Sequence, residues 1–186
     1  MEKSMGVIEN IIAEVIKTEG GYVNNKADKG GETKFGITVA VARANGYAGA
    51  MVDMPKSLAE SIYRKRYITE PLFDQVLAIN ETVGVELIDT GVNMGPARAA
   101  EYLQRWLNGF NVACSGYQDL FVDGRLGALT LDALRLFLSV RGADGACVLL
   151  RGLNSSQGDR YLELTEANKT QRSFLYGWVR ARVVIA

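Results

Sequence analysis

The first helical segment constrains the fold most. Val7, Ile8, Ile11, Ile12, Val15 and Ile16 recur at the spacing of one helical face. Such a helix needs partners on that face, so the chain must build a core around it. Gly20 and Gly21 close the helix, because glycine accepts the left-handed positions that end helices. Glu19 then falls in or just after the last turn, where the negative end of the helix dipole disfavours a carboxylate. Lys or Arg would stabilise the helix better there. Two readings follow: a proton donor placed on purpose, or a solvated glutamate at a loop entrance.

Residues 20–36 are rich in Gly, Asn, Asp and Lys and read as an exposed loop or small hairpin. Residues 35–39, FGITV, read as a short strand or as a turn entering the next helix. Ser57-Leu-Ala-Glu60 has the form of a capping box, opening a helix through Ile62 and Tyr63 to about Tyr67, with Pro71 as the stop. Asn80 caps a helix with Val83, Leu87, Ile88 and Val92 on one face, and Gly84 and Gly91 inside it imply close packing. Pro96 starts a strong helix carrying Ala99, Leu103, Trp106, Leu107 and Phe110. Asp123-Gly124 is a turn, 129–140 is helical, 144–153 is a short helix, and the last helix begins near Tyr161. The expected class is α+β, mostly α, with a small β or irregular region at 22–40.

Composition removes several chemistries. The chain has 186 residues, enough to bury a core, and no histidine. Histidine-based triads and histidine-ligated zinc are therefore excluded, and acid–base work falls to carboxylates, Lys, Tyr or Cys. Lys plus Arg is 21 and Asp plus Glu is 21, a balance that argues against a nucleic-acid partner. Cys114 and Cys147 lack metal-motif spacing and read as two buried free thiols, with pairing left open. Glu2, Glu9 and Glu14 interrupt the opening segment, so it reads as an amphipathic helix and not as a signal peptide. No run is long or apolar enough for membrane insertion.

The stretch Glu19-Gly20-Gly21-Tyr22-Val23-Asn24-Asn25, continuing through Ala27-Asp28, Gly30-Gly31-Glu32-Thr33 and Gly36-Ile37-Thr38, resembles the start of glycoside hydrolase family 108. That family comprises bacterial and phage peptidoglycan hydrolases with a lysozyme-like fold. Residues 62–67 (IYRKRY) resemble its next helix, and 89–96 (DTGVNMGP) the junction to its second half. Trp106-Leu107-Asn108, residues 122–127 (VDGRLG), residues 130–134 (TLDAL) and residues 174–178 (FLYGW) are similar to the predicted peptidoglycan-binding segment that follows.

The resemblance implies a lysozyme-like fold, with a small N-terminal lobe and a helical C-terminal half bordering a cleft. It implies a catalytic segment at 1–92 and a binding segment at 93–186, expected to pack as one cooperative unit. It also implies an endolysin-type muramidase that needs no cofactor and no metal, acts on bacterial peptidoglycan, and is expected to be a monomer. With no signal peptide, such a protein would be made in the cytoplasm and reach the periplasmic wall on release, as through a phage-encoded pore.

The family's general acid falls on Glu19. The order Glu19, Asp28, Thr33 also resembles the catalytic trio of phage-type lysozymes, with one residue fewer here between Asp and Thr. Asp28 would orient water or stabilise positive charge, and Thr33 would hold that water. Both residue types also suit a turn or strand. Tyr22 and Asn93 are candidate sugar contacts, by ring stacking and by amide pairing, although Asn93 could equally end its helix. Tyr63 and Tyr67, one turn apart, read as possible core. A lytic transglycosylase, or a non-catalytic wall-binding or secretion-activating protein, could share this scaffold. A helix-turn-helix DNA binder is opposed by the neutral charge.

Overall fold

The computed structural model describes residues 2–24, 31–112 and 116–183, and only the backbone of residues 2–5 and Val7. Two compact units divide the chain, Met1–Glu70 and Pro71–Ala186. The architecture is α+β and mostly helical, as the sequence implies.

The first unit opens with α1 (Glu2–Glu19). Its stripe of Ile8, Ile12 and Ile16 is buried with Ile37, Met51, Met54, Ile62 and Ile68. Three two-residue strands follow: β1 (Tyr22–Val23), β2 (Thr33–Lys34) and β3 (Ile37–Thr38), antiparallel in that order. The segment 35–39 satisfies both readings of the sequence. Ile37 and Thr38 form β3, and Thr38 then caps α2 (Val39–Ala44), its hydroxyl accepting from the Val41 amide at 3.3 Å. A 3₁₀ turn (Met51–Asp53), α3 (Lys56–Arg64) and a π turn (Lys65–Thr69) complete the unit. Helix α3 packs on α1, and an Arg64–Glu9 ion pair joins them.

The capping box at Ser57 does not form. Helix α3 begins at Lys56, after the extended backbone of Pro55, without a side-chain cap. Glu60 instead pairs with Lys56 at 3.4 Å.

The second unit holds α4 (Phe73–Ile79), α5 (Glu81–Met94), α6 (Pro96–Phe110), α7 (Ala128–Ala167), a 3₁₀ turn (Lys169–Gln171) and α8 (Arg172–Arg182). The Asn80 carboxamide oxygen caps α5 by accepting from the Val83 amide at 3.0 Å, and Pro96 opens α6 at its first position, both as expected. Gly84 lets α5 lie against α4. A β-carbon there would come within 2.7 Å of the Leu77 backbone, so no larger residue fits without moving a helix. Leu87 and Ile88 of α5, Leu103 and Leu107 of α6, and Leu134, Leu149 and Leu153 of α7 form the buried centre.

The Asp123-Gly124 turn is held by buried Gln104. Its carboxamide oxygen accepts from the amides of Asp123 (3.1 Å) and Gly124 (3.0 Å), and its NH₂ donates to the Asp123 carboxylate (2.9 Å).

Three expectations are corrected in this unit. Helix α4 was absent from the sequence reading. The short helix at 144–153 and the element starting near Tyr161 are one helix, running from a break at Gly142 to Ala167, and the last helix starts at Arg172. Cys147 is free and exposed, not buried, on the outer side of α7. Cys114 lies outside the described residues. No helix among the described residues is long and apolar enough to cross a membrane.

Candidate active site

Glu19 is the last residue of α1, and the Gly20 amide closes the helix on the Ile16 carbonyl at 3.3 Å. Gly20 takes φ +80°, which turns the chain away from the helix axis and leaves Glu19 exposed at its end.

Gly36 explains where that side chain goes. A β-carbon built on Gly36 would lie 2.7 Å from Glu19 Oε2, 2.9 Å from Glu19 Cγ and 2.6 Å from the Tyr63 hydroxyl. The carboxylate and the phenol therefore converge on one point of backbone that only glycine leaves open. Gly36 also has φ +73°, a conformation that costs other residues about 1–2 kcal/mol.

Its neighbour Phe35 is left-handed as well, at φ 52°. Non-glycine residues held in that region cluster at functional sites. The Phe35 carbonyl is thereby presented to Tyr63, whose hydroxyl donates to it at 2.9 Å. Burial first, and then the nearby Glu19 charge, push the Tyr63 phenol up to about 12. Tyr63 thus stays neutral and keeps its proton. Its ring stacks on Tyr67 at 5.9 Å, and Arg66 lies over the Tyr67 ring at 5.3 Å. The π turn carries Tyr67, and such turns recur at functional sites.

The sheet distributes two of the other candidates. Tyr22 pairs with Lys34, and Thr33 pairs with Val23 and Thr38. Side chains alternate across a strand, so Tyr22, Lys34 and Ile37 share one face and Val23, Thr33 and Thr38 the other. Tyr22 and Thr33 are therefore neighbours through the backbone on opposite faces. Tyr22 is exposed and Thr33 half-buried. Lys34 is fixed by donating to the Val52 carbonyl. Asp28 lies outside the described residues.

Asn93 belongs to the second unit, exposed in the last turn of α5. Its amide donates to the Asp89 carbonyl (2.6 Å) and to the Asp89 carboxylate (3.3 Å). Those bonds fit the helix-ending role that the sequence left open. Among the described residues, no group of three or more acidic or cysteine side chains is arranged to hold a metal.

Sequence reasoning assigned no role to Gly36 and read Tyr63 as possible core. Tyr63 is core, at 7 % exposure, and its hydroxyl also converges with the Glu19 carboxylate on Gly36. The available signal was Gly36 itself, a glycine fixed between Phe35 and Ile37 where a strand pattern would prefer a side chain.

Residues 12–95 match the family model Glycosyl hydrolase 108, and residues 98–183 match the model Predicted Peptidoglycan domain. The chain therefore carries an N-terminal glycosyl hydrolase 108 segment, followed by a predicted peptidoglycan domain. The two together define a glycoside hydrolase that acts on peptidoglycan. Among solved structures, Brucella abortus SagA is similar, with 28 % identity, a TM-score of 0.59, and coverage of 96 % of this chain and 90 % of that one. No curated protein sequence matches the chain.

Proposed function

We propose that the chain is a muramidase, hydrolysing the β-1,4 bond between N-acetylmuramic acid and N-acetylglucosamine with Glu19 as general acid. The observation that carries this reading is the seat of Glu19: exposed at a helix end, yet with its carboxylate packed against Gly36 and the neutral Tyr63 phenol. An acid for a polymeric substrate needs access as well as a fixed position.

Glu19 delivers its proton to the glycosidic oxygen as the bond to the anomeric carbon breaks. The sugar passes through an oxocarbenium-like state. Asp28 stabilises that charge or orients the attacking water, and Thr33, on β2, holds the water by hydrogen bond. An inverting course suits a held water. Tyr22 offers an exposed ring to a sugar face. Gly36, with the Tyr63 hydroxyl on it as well, gives the Glu19 carboxylate its seat.

The test digests purified peptidoglycan with the wild-type chain and with Glu19→Gln, followed by mass spectrometry of the products. Hydrolysis leaves reducing N-acetylmuramic acid ends, and Glu19→Gln loses about a hundred- to ten-thousand-fold in rate. Anhydro ends would identify a transglycosylase. Binding to the wall without cleavage would identify a non-catalytic protein.

A further inference from the structure

Within the second unit, α6 and α7 border a part-open cavity of about 100 Å³ that includes none of the residues assigned to glycan cleavage. Arg98, Tyr102 and Arg105 line it from α6, and Asp159, Arg160 and Glu163 from α7. The spacings put each set along one stripe of its helix. Two helices facing each other usually fill such stripes with apolar side chains, as Leu103, Leu107, Leu149 and Leu153 do beside this one.

The ion pairs here do not cross the cavity. Arg98 pairs with Glu101 at 2.7 Å and Arg160 with Glu163 at 2.7 Å, each along its own helix. Arg105 makes no ion pair among the described residues and is exposed. A guanidinium carries five N–H donors, so each paired arginine keeps most of its donors for another acceptor. Burial raises the Tyr102 phenol, and Arg98, Arg160 and Arg105 all act against that rise, which fits three guanidinium groups facing one neutral hydroxyl. Ser156 sits at the same wall and accepts the Trp106 indole N–H at 2.9 Å, fixing one edge.

Size and charge narrow the ligand. A cavity of this volume is too small for a sugar ring with its substituents, since sites for whole small molecules run to about 300–1,000 Å³. It suits a single anionic group with a bridging water. Arg98 and Arg160 already meet Glu101 and Glu163, so Arg105 is the guanidinium of the lining that has no ion pair among the described residues. One such group, with the spare donors of the other two, matches a single carboxylate, while Asp159 and Glu163 oppose a second negative charge such as that of phosphate. The guanidinium fork also matches carboxylate geometry.

We propose that the Arg98–Arg105–Arg160 cavity binds a carboxylate of the peptide stems of peptidoglycan, so that the second unit grips the wall through its peptide and not its sugar. The inference rests on the reading of the chain as a peptidoglycan-acting enzyme and adds the group recognised.

Calorimetry on the full chain tests it, with a synthetic stem tetrapeptide as free acid, the same peptide with its carboxylates amidated, and inorganic phosphate as competitor. The free acid should bind, the amide at least about tenfold more weakly, and phosphate should not compete at equal concentration. Arg105→Gln, at an exposed position, should keep the thermal midpoint and weaken free-acid binding about tenfold, the scale of a lost charge-assisted hydrogen bond. Arg160→Gln should weaken it likewise. No binding of the free acid, equal binding of acid and amide, full competition by phosphate, or an unchanged Arg105→Gln would each overturn the proposal. Cleavage of glycan strands stripped of peptide is measured in parallel. Cleavage without peptide binding defeats this inference alone, and peptide binding without cleavage defeats the enzymatic reading alone.

Discussion

Glu19 and Glu86 are both helical glutamates, and their surroundings are opposite. Glu19 ends α1 in the open, against Gly36 and Tyr63. Glu86 sits inside α5 at 7 % exposure. Burial, and secondarily the charge of Asp89, push its carboxyl up to about 7, against the pull of hydrogen bonds from Thr90 and Asn154. A raised carboxyl pKa is a common mark of a catalytic acid. Here it marks the group that no polymer can reach.

Glu86 belongs to a polar network that joins helices. The Thr90 hydroxyl donates to it at 3.2 Å, and the Gln157 amide donates to Thr90 and to Asp89, each at 3.2 Å. Arg182 of α8 pairs with Asp89. Gln157 Oε1 and the Tyr161 hydroxyl are buried there without a hydrogen-bond partner among the described residues. Burial drives the Tyr161 phenol up to about 12, so it remains neutral. On the proposed reading, access and placement select the acid before pKa does.

The largest effect should come from stripping Glu86 of its surroundings while leaving Glu19 in the chain. A fragment ending at residue 92 keeps both glutamates and removes α6, α7 and α8. Val83, Leu87 and Ile88 of α5 are fully buried, and α5 packs chiefly on α4, α6 and α7. The fragment should show no cooperative melting of α5 by circular dichroism. A 71–186 fragment, which keeps α4 to α8 together, should melt cooperatively, and a 93–186 fragment should not. A cooperative 93–186 fragment would show that α5 is dispensable to that packing.

Next comes the pH response of Glu86. Its folded-state value of about 7 lies above the ordinary 4.5. Its contribution is therefore fully present below pH 4.5 and is lost as pH rises through 7. The loss amounts to about 3 kcal/mol, an upper figure for a group not wholly enclosed. Glu86→Gln removes the titrating charge. Its stability relative to wild type should climb between those two pH values and level off above them. Parallel curves from denaturant titrations across that range would contradict the burial account.

Gly36→Ala acts on the Glu19 side. The added methyl collides with Glu19 and Tyr63 and sits at positive φ, so it should cost about 1–2 kcal/mol of stability. It should also lower activity more than that loss of folded protein explains, because it displaces the carboxylate. Activity per folded molecule equal to wild type would separate Gly36 from the site.

The smallest change is Tyr63→Phe. It removes one half-buried hydrogen bond to the Phe35 carbonyl, worth about 1 kcal/mol, and keeps the ring stack on Tyr67. Stability should fall by about that amount, with a partial drop in rate. A loss as large as that of Glu19→Gln would make Tyr63 a direct participant.

What the sequence disclosed follows the reach of each signal. The stripe of α1, the Asn80 cap and Pro96 at the start of α6 are local patterns with local causes, and each appears where expected. Helix α4 starts from Leu72 at φ 62°, with no side-chain cap, so nothing in the local sequence announces it. Ser57 lost its capping role because Pro55 starts the helix earlier and Lys56 takes Glu60. Ser155 and Gly158 resemble breaks in α7. Yet Ser155 folds its hydroxyl back onto the Arg151 carbonyl at 2.8 Å, and the helix continues. Glu19 was legible because a helix end and a long motif coincide on it. Its contact with Gly36 and Tyr63 was not, because it depends on how β3 and α3 meet the end of α1.

The central claim is that Glu19, and not the buried Glu86, delivers the proton. The most direct test measures new reducing ends from purified peptidoglycan for wild type, Glu19→Gln and Glu86→Gln, at one pH where all three are folded. The account predicts that Glu19→Gln falls by at least about a hundredfold, while Glu86→Gln stays within a few-fold of wild type. Activity retained in Glu19→Gln, or lost in a folded Glu86→Gln, would contradict it.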